Sequence, residues 1–476
     1  MSRSVRLVRI AAPLCALLHA AACNRVGDHP SAAANRAPQP QGERVDKLVR
    51  VGESFSLDVS TVGARLVDPD GDPLSYEVIL RGEPGVTVRG TQLSGRLAAA
   101  GAIEVTLVAR DPAGASARTV FMIAAPAAEP GAPKLPATPY IYKDESLPLP
   151  DAYRQSSEGF APLWDAQAKI NRSTDAGAAL GRVLFFDKRL SITNTFACAS
   201  CHQREHGFAA PERFSKGVIG VPLSRNTMAL ANARYNIHKS WFADLRVTDI
   251  KEAVRQALTR TDELASTLPA IEGKLRATPF YGSLFQAAFG SPGITGERIL
   301  LALEQYVQAL ISYRTRFDQA CDAVNGFEPI CDLALTPEEA RGRAIFFEAR
   351  ADHIRCSQCH LLPGGGNIWL ANNGLDAEVG DAGAGNGRFR SASLHNIALS
   401  APYMHDGRFA TLREVIDHYD HGIRESPDLD TLLRTSDGKA KRLNLTEADK
   451  RALEAFLLTL TDREMLSDTK FSDPFQ

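Results

Sequence analysis

Cys198-Ala199-Ser200-Cys201-His202 and Cys356-Ser357-Gln358-Cys359-His360 decide how this 476-residue chain is read. In each stretch two thiols stand one helical turn apart and a histidine follows at once. That spacing lets both cysteines add to the vinyl groups of one porphyrin while the adjacent imidazole reaches the iron, so each is a c-type haem attachment motif. A lone Cys-x-x-Cys would also suit a redox dithiol or half a zinc site. Two copies, both with the histidine, point instead to two covalently bound haem c groups. Gly181-Arg182-Val183-Leu184-Phe185-Phe186 precedes the first motif, and Gly342-Arg343-Ala344-Ile345-Phe346-Phe347 precedes the second. A helix-then-motif unit used twice implies two related, mainly α-helical cytochrome c-type domains. Ile250, Val254, Ala257 and Leu258 recur at helical spacing, and Ile299 to Ile311 forms another striped helix.

Composition limits the rest. Hydrophobic residues make up 44% and charged residues 23%, which suits a folded protein and not a disordered one. With 54 Lys and Arg against 56 Asp and Glu, no basic excess exists to attract nucleic acid. Arg3, Arg6 and Arg9 ahead of the apolar run from Ile10 to Ala22 read as a secretory signal peptide over 1–22. Its loss removes three Arg and no acid, taking the net charge from −2 to −5. Ala20-Ala21-Ala22-Cys23 offers either an Ala-x-Ala cleavage site or a lipoprotein-like junction. No later apolar run approaches the ~20 residues that span a bilayer, so membrane contact is expected only through a lipid on Cys23. Export implies the periplasm, where haem attachment and disulfides are both permitted. If Cys23 is lipidated and four thiols carry haem, Cys321 and Cys331 remain as the pair for a short structural disulfide.

Residues 23–44, rich in Ala, Pro, Asn and Gln, read as a flexible tether. Over 45–125 the pattern alternates in short runs: Ser54 to Val59, Leu74 to Ile79, Ile103 to Val108 and Thr119 to Ile123. Turns such as Asp68-Pro69-Asp70-Gly71-Asp72 separate them, which predicts a small all-β sandwich domain. Asp68 to Tyr76 resembles the signature of cadherin-like immunoglobulin-fold modules. That resemblance implies Ca²⁺ or partner binding, although a turn-rich spacer with solvated acids accounts for the same residues. Seven prolines between Pro126 and Pro150 mark 126–160 as a semi-rigid linker. The haem domains then occupy 161–320 and 321–476, giving a mainly α fold behind a small all-β domain.

Three further stretches carry a second resemblance: Arg225-Asn226-Thr227-Met228-Ala229-Leu230, Gly387 to Asn396, and Ala401-Pro402-Tyr403-Met404-His405-Asp406-Gly407. On these, residues from about 160 to 465 resemble the bacterial dihaem cytochrome c peroxidase/MauG family. The resemblance excludes the β-module. It implies that the haem on His202 reacts with peroxide and that the haem on His360 transfers electrons. The sixth ligand of the latter lies 14 residues beyond His405, at Tyr419. Peroxidases place Met there and MauG places Tyr; a hard phenolate favours the oxidised iron and lowers its potential. Leu412, Val415, Ile416 and Tyr419 share one helical face, which suits a buried ligand and would equally suit a core tyrosine. Met404 is the rival ligand. His418 and His421 lie off that face and are expected at the surface or around the ligand.

The same resemblance places a catalytic carboxylate 17 residues beyond Arg246, at Glu263, where it would shuttle a proton between the peroxide oxygens. The inter-haem tryptophan position falls on Ala243, leaving Trp241 as the candidate for the electron path. The usual upstream Gln falls on Ala253, with Gln256 one turn away. A removable distal histidine would stand near Val218, where this chain has none, implying a first haem with an open distal side. His405 is implied beside the haem propionates, and Asn226 with the carbonyls of Ser400 and Pro402 is implied to hold Ca²⁺. The activity implied is hydrogen peroxide reduction, with electrons from a small c-type cytochrome or cupredoxin relayed through the His360/Tyr419 haem. The alternatives are MauG-like oxidation of a partner protein's side chain, and a non-catalytic electron-transfer relay with both irons six-coordinate.

Overall fold

The computed structural model describes residues 34–82, 85–149, 153, 171–236, 240–322, 330–331, 335–347, 354–360, 362 and 369–476. The expected signal peptide, Cys23 and the first part of the expected tether lie outside the described residues. Strands come first: β1 (Gln39–Gln41), β2 (Lys47–Leu48), β3 (Ser54–Asp58), β4 (Arg65–Val67), β5 (Ser75–Gly82), β6 (Val86–Arg89), β7 (Gln92–Arg96), β8 (Gly101–Arg110) and β9 (Ser116–Ala125). They form sheets of order β2-β9-β8-β5 and β3-β7-β6, with β1 paired to β4. Alternation along β8 sends Ile103, Val105, Leu107 and Ala109 into a core shared with Val59, Leu66, Leu93, Phe121 and Ile123. The four strands read from sequence are all present. The fully exposed β1 falls inside the expected tether, because ladder bonds to Arg65–Val67 order it without any apolar side chain.

The sheet is also buried on its other face. Ala102, Met122 and Ala124 point away from the sandwich core and pack with Ile192, Val218, Ile219 and Ala265 of the helical region. The Pro-rich stretch behind β9 is a strap rather than a free spacer. An extended, proline-rich backbone has no internal hydrogen bonds, so its free groups bind what they cross. Ala127 N donates to Thr193 O (2.8 Å) and the buried Tyr142 hydroxyl to Lys470 O (2.8 Å).

In the helical region the two halves repeat one device. Helix Asp175–Phe186 opens on Thr174, whose Oγ1 accepts from Gly177 N (3.0 Å). Helix Pro337–Phe347 opens on a capping box, Thr336 N to Glu339 Oε2 (2.9 Å) and Glu339 N to Thr336 Oγ1 (3.2 Å). The first crosses helix Gly296–Ala309 and the second crosses helix Glu447–Leu458. Both crossings close on glycine: a Cβ on Gly181 would lie 2.0 Å from Ala302 O, and one on Gly342 would lie 1.9 Å from Ala452 O. The Gly-Arg-x-x-Phe-Phe repeat thus encodes the same backbone-to-backbone approach twice. Leu184, Phe185, Leu303 and Tyr306 fill the first core; Ile345, Phe346, Leu453 and Phe456 fill the second.

The halves are joined by buried polar groups. Within the first half, Asn232 and Ser312 bond reciprocally (Nδ2 to O, 2.9 Å; N to Oδ1, 2.8 Å) and present Ser312 to the second. Asn396 Nδ2 reaches Ser312 Oγ (3.0 Å), and its Oδ1 accepts from Asp462 N (2.8 Å). Asp462 Oδ2 in turn accepts from Tyr313 N and Arg314 N, both at 3.1 Å. The chain end then returns to the first half, where Met465 and Phe471 join its core. Backbone pairing sets Cys321 opposite Cys331. Among the described residues no helix is long and apolar enough to cross a membrane.

Candidate functional site

Both Cys-x-x-Cys-His stretches fold alike. A single 3-10 turn carries the thiols, at Cys198–Ser200 and Cys356–Gln358, and the histidine N–H returns to the first cysteine carbonyl (2.9 Å for His202, 3.0 Å for His360). His202 Nδ1 lies 2.9 Å from Phe208 O, and His360 Nδ1 lies 2.7 Å from Ala392 O. A carbonyl only accepts, so each Nδ1 carries the proton and each Nε2 keeps its lone pair for a metal. Burial lowers the pKa of both imidazoles, which holds them in the neutral, ligating form. Burial also pushes the Cys198 thiol up to about 12 and Cys356 up to about 11, the opposite of what a redox dithiol needs.

A cavity of about 300 Å³ opens beside the second motif, lined by Cys356, Cys359, His360, Met404, Tyr419 and Arg390 among others. Arg390 tests what belongs there. Its Nε and Nη1 are buried without a partner, and desolvation lowers its pKa to about 10. An apolar cavity, two thiols, a free imidazole nitrogen and one uncompensated cation fit a large flat apolar group that bears carboxylates, as haem does. Asn373 Nδ2 stands 3.5 Å from both Met404 Sδ and Tyr419 Oη, so the two rival ligands are brought to the same spot. Tyr419 sits on a π-helical turn, His418–Gly422, that follows helix Leu412–Asp417. Of the two places expected for His418, the structure shows the one around the ligand: it is buried, with Nε2 3.0 Å from Asn373 O. His421 is exposed as expected.

Glu263 lies in the turn after helix Ile250–Thr259, near enough to Cys198 and Cys201 for its charge to raise both thiol pKa values. Arg260 Nε pairs with its Oε1 at 2.9 Å, yet burial outweighs the cation and its own pKa is raised. Val218 packs directly over this turn, with its N–H on Glu263 O (2.9 Å). Trp241 is buried among Ala233, Val247, Ile250 and Val307, its Nε1 on Ala233 O (3.2 Å), whereas Ala243 lines the cavity. His405 stacks on Phe389 with centroids 3.8 Å apart, and its carbonyl accepts from Asn226 N (2.8 Å). Asn226, Ser400 and Pro402 are among the residues that line the cavity, with the Asn226 amide on Glu212 O and Arg213 O. Arg390 and Asn373 were not singled out from sequence. Arg390 lies near Arg388 and Ser391 in a stretch with no pattern that marks it as buried, and Asn373 carried no signal either.

Two haem-attachment turns in a duplicated helical frame define a dihaem c-type protein. The family described as di-haem cytochrome c peroxidase matches residues 175–325. The methylamine utilization protein MauG of Methylorubrum extorquens is 30% identical over 308 residues, 61% of this chain and 80% of that protein. The cytochrome c551 peroxidase of Nitrosomonas europaea is 28% identical over 274 residues, 54% of this chain and 76% of that one. A solved MauG-like protein associated with microbial copper homeostasis matches at a TM-score of 0.56 and 29% identity, covering 64% of this chain and 95% of its own. The chain belongs to the di-haem cytochrome c peroxidase/MauG family. It is a peroxidase-type oxidoreductase that carries two c-type haems.

Proposed function

We propose that hydrogen peroxide is reduced at the haem held by Cys198, Cys201 and His202, with electrons arriving through the haem held by Cys356, Cys359 and His360. Bound haem supplies the redox chemistry; the chain supplies ligands and a proton carrier. Glu263 carries the reading: a buried carboxyl with a raised pKa, beside the first motif, is suited to take and return a proton as the O–O bond parts. His405 and Arg390 line the second cavity as neighbours for haem carboxylates, and Trp241 donates to the carbonyl of Ala233, which lines that cavity. The donor is a small c-type cytochrome or cupredoxin in the periplasm. Haem domains at 161–320 and 321–476, a cadherin-like module in front, a lipid on Cys23 and Ca²⁺ at Asn226, Ser400 and Pro402 complete the proposal.

Electron paramagnetic resonance tests it: one high-spin and one low-spin ferric signal are expected, with rapid peroxide turnover by a reduced cytochrome. Two low-spin signals in every redox state would end the enzymatic reading. Oxidation of a partner protein's side chain is the second reading, favoured by Tyr419 beside Asn373 in place of a lone methionine. Tyr419→Phe is expected to convert the second haem's spectrum to that of a thioether-ligated or open iron, while Met404→Leu leaves it unchanged. The reverse pattern would assign the ligand to Met404.

A further inference from the structure

The turn that carries Glu263 closes on itself through Glu263 N to Arg260 O (3.1 Å) and Ala265 N to Arg260 O (2.9 Å), and it is braced from outside as well. Ala265 has φ +56, a left-handed conformation that a side-chain-bearing residue keeps only where its surroundings impose it. Two further bonds to carbonyls of this segment come from the β-rich part. Arg44 Nη2 donates to Ala265 O (2.7 Å) and Nη1 to Thr259 O (3.3 Å), on either side of Glu263. Asp46 fixes the guanidinium (Nε to Oδ1, 2.7 Å; Nη2 to Oδ2, 2.9 Å) and accepts from Met122 N of β9 (2.8 Å). The opposite side of the turn is held just as closely. A Cβ on Gly217 would lie 2.2 Å from Asp262 O and 2.4 Å from Glu263 O, so no slack exists between the segments. Val218 and Ile219, which follow, are buried beneath Ala102, Met122 and Ala124. Gly82, at the end of β5, comes so near that its Cβ would touch Ile219 Cβ at 3.4 Å.

We propose that the β-rich module is a clamp that sets the position of Glu263, with Arg44 as the positioning residue and the Val218–Ile219 contact as its second jaw. The proposal rests on the reading of Glu263 as the proton carrier and gives the module a catalytic purpose within the same chain.

The test uses the full-length holoprotein. Arg44→Gln is expected to lower the rate constant for peroxide by roughly 10- to 100-fold, the scale of a misplaced catalytic group. It should also speed amide exchange at Val218 and Ala265 while leaving exchange in β8 unchanged. Arg44→Lys, which can still reach one carbonyl, should recover most of the rate. Added to Glu263→Gln, Arg44→Gln should cost nothing further in rate, because it acts through that carboxyl. Arg36→Gln, which removes the module's exposed ion pair with Asp70, should match wild type. Ile219→Ala should reproduce the Arg44→Gln signature from the other jaw. A wild-type rate with unchanged exchange in Arg44→Gln overturns the clamp, and so does an undiminished loss on the Glu263→Gln background. Should Glu263→Gln itself retain full activity, the proton-carrier reading falls, while exchange at Ala265 still decides the clamp.

Discussion

Glu263→Gln is expected to slow peroxide reduction by about 10²- to 10⁴-fold while both haems remain attached, the range for loss of a positioned proton carrier. Gln keeps the size and the hydrogen-bond reach of Glu and removes the titrating proton together with the charge paired to Arg260. Two influences compete for that proton. Arg260 at 2.9 Å stabilises the carboxylate, but burial destabilises it more, and the net shift is upward from the model-compound value of 4.5. The carboxylate must be ionised to accept the first peroxide proton. Wild-type activity should therefore fall as pH drops through a midpoint above 4.5, and the variant's low rate should lack that acid limb. Steady-state rates between pH 4 and 8, with Soret spectra to count haems, provide the measurement. A variant that keeps the wild-type rate and acid limb removes Glu263 from the mechanism.

Gly342→Ala is the second large effect. The new methyl would meet the carbonyl oxygen of Ala452 at 1.9 Å, with its carbonyl carbon at 2.5 Å and Phe456 Cβ at 2.8 Å. These are backbone and near-backbone atoms at the crossing of two capped helices, so relief requires the helices to separate. A loss of about 3 kcal/mol, or roughly 10 °C in the melting of the holoprotein, is expected for overpacking of this severity. Gly273 supplies the contrast. It lies exposed in helix Leu268–Ala277 with nothing near its missing Cβ, so Gly273→Ala should stabilise by about 0.5–1 kcal/mol. Equal effects from the two substitutions would show that helix propensity, not the crossing, decides.

The haem attachment sites, the duplicated helices and the alternating strands were legible because each rests on local spacing. The Gly-Arg-x-x-Phe-Phe repeat revealed the duplication, although not that its glycine is where two backbones meet. Strand β1 was hidden, since a three-residue ladder of Gln, Pro and Gln has no hydrophobic period. The docking of the module was written in β9: Phe121 to Ala125 is apolar at every position, the mark of a strand covered on both faces. For His418 the spacing left two places open, the surface or the ligand's surroundings, and only its buried bond to Asn373 O selects the second. Arg44 could not be read at all, as its partners are carbonyls more than two hundred positions away.

The joint made by Asn232, Ser312, Asn396 and Asp462 bears on electron tunnelling between the halves. These groups are sealed from water and saturate one another, so neither half can pivot without orphaning several donors and acceptors together. The spacing between the two attachment turns would then be fixed by the fold, and melting should engage both halves in a single event.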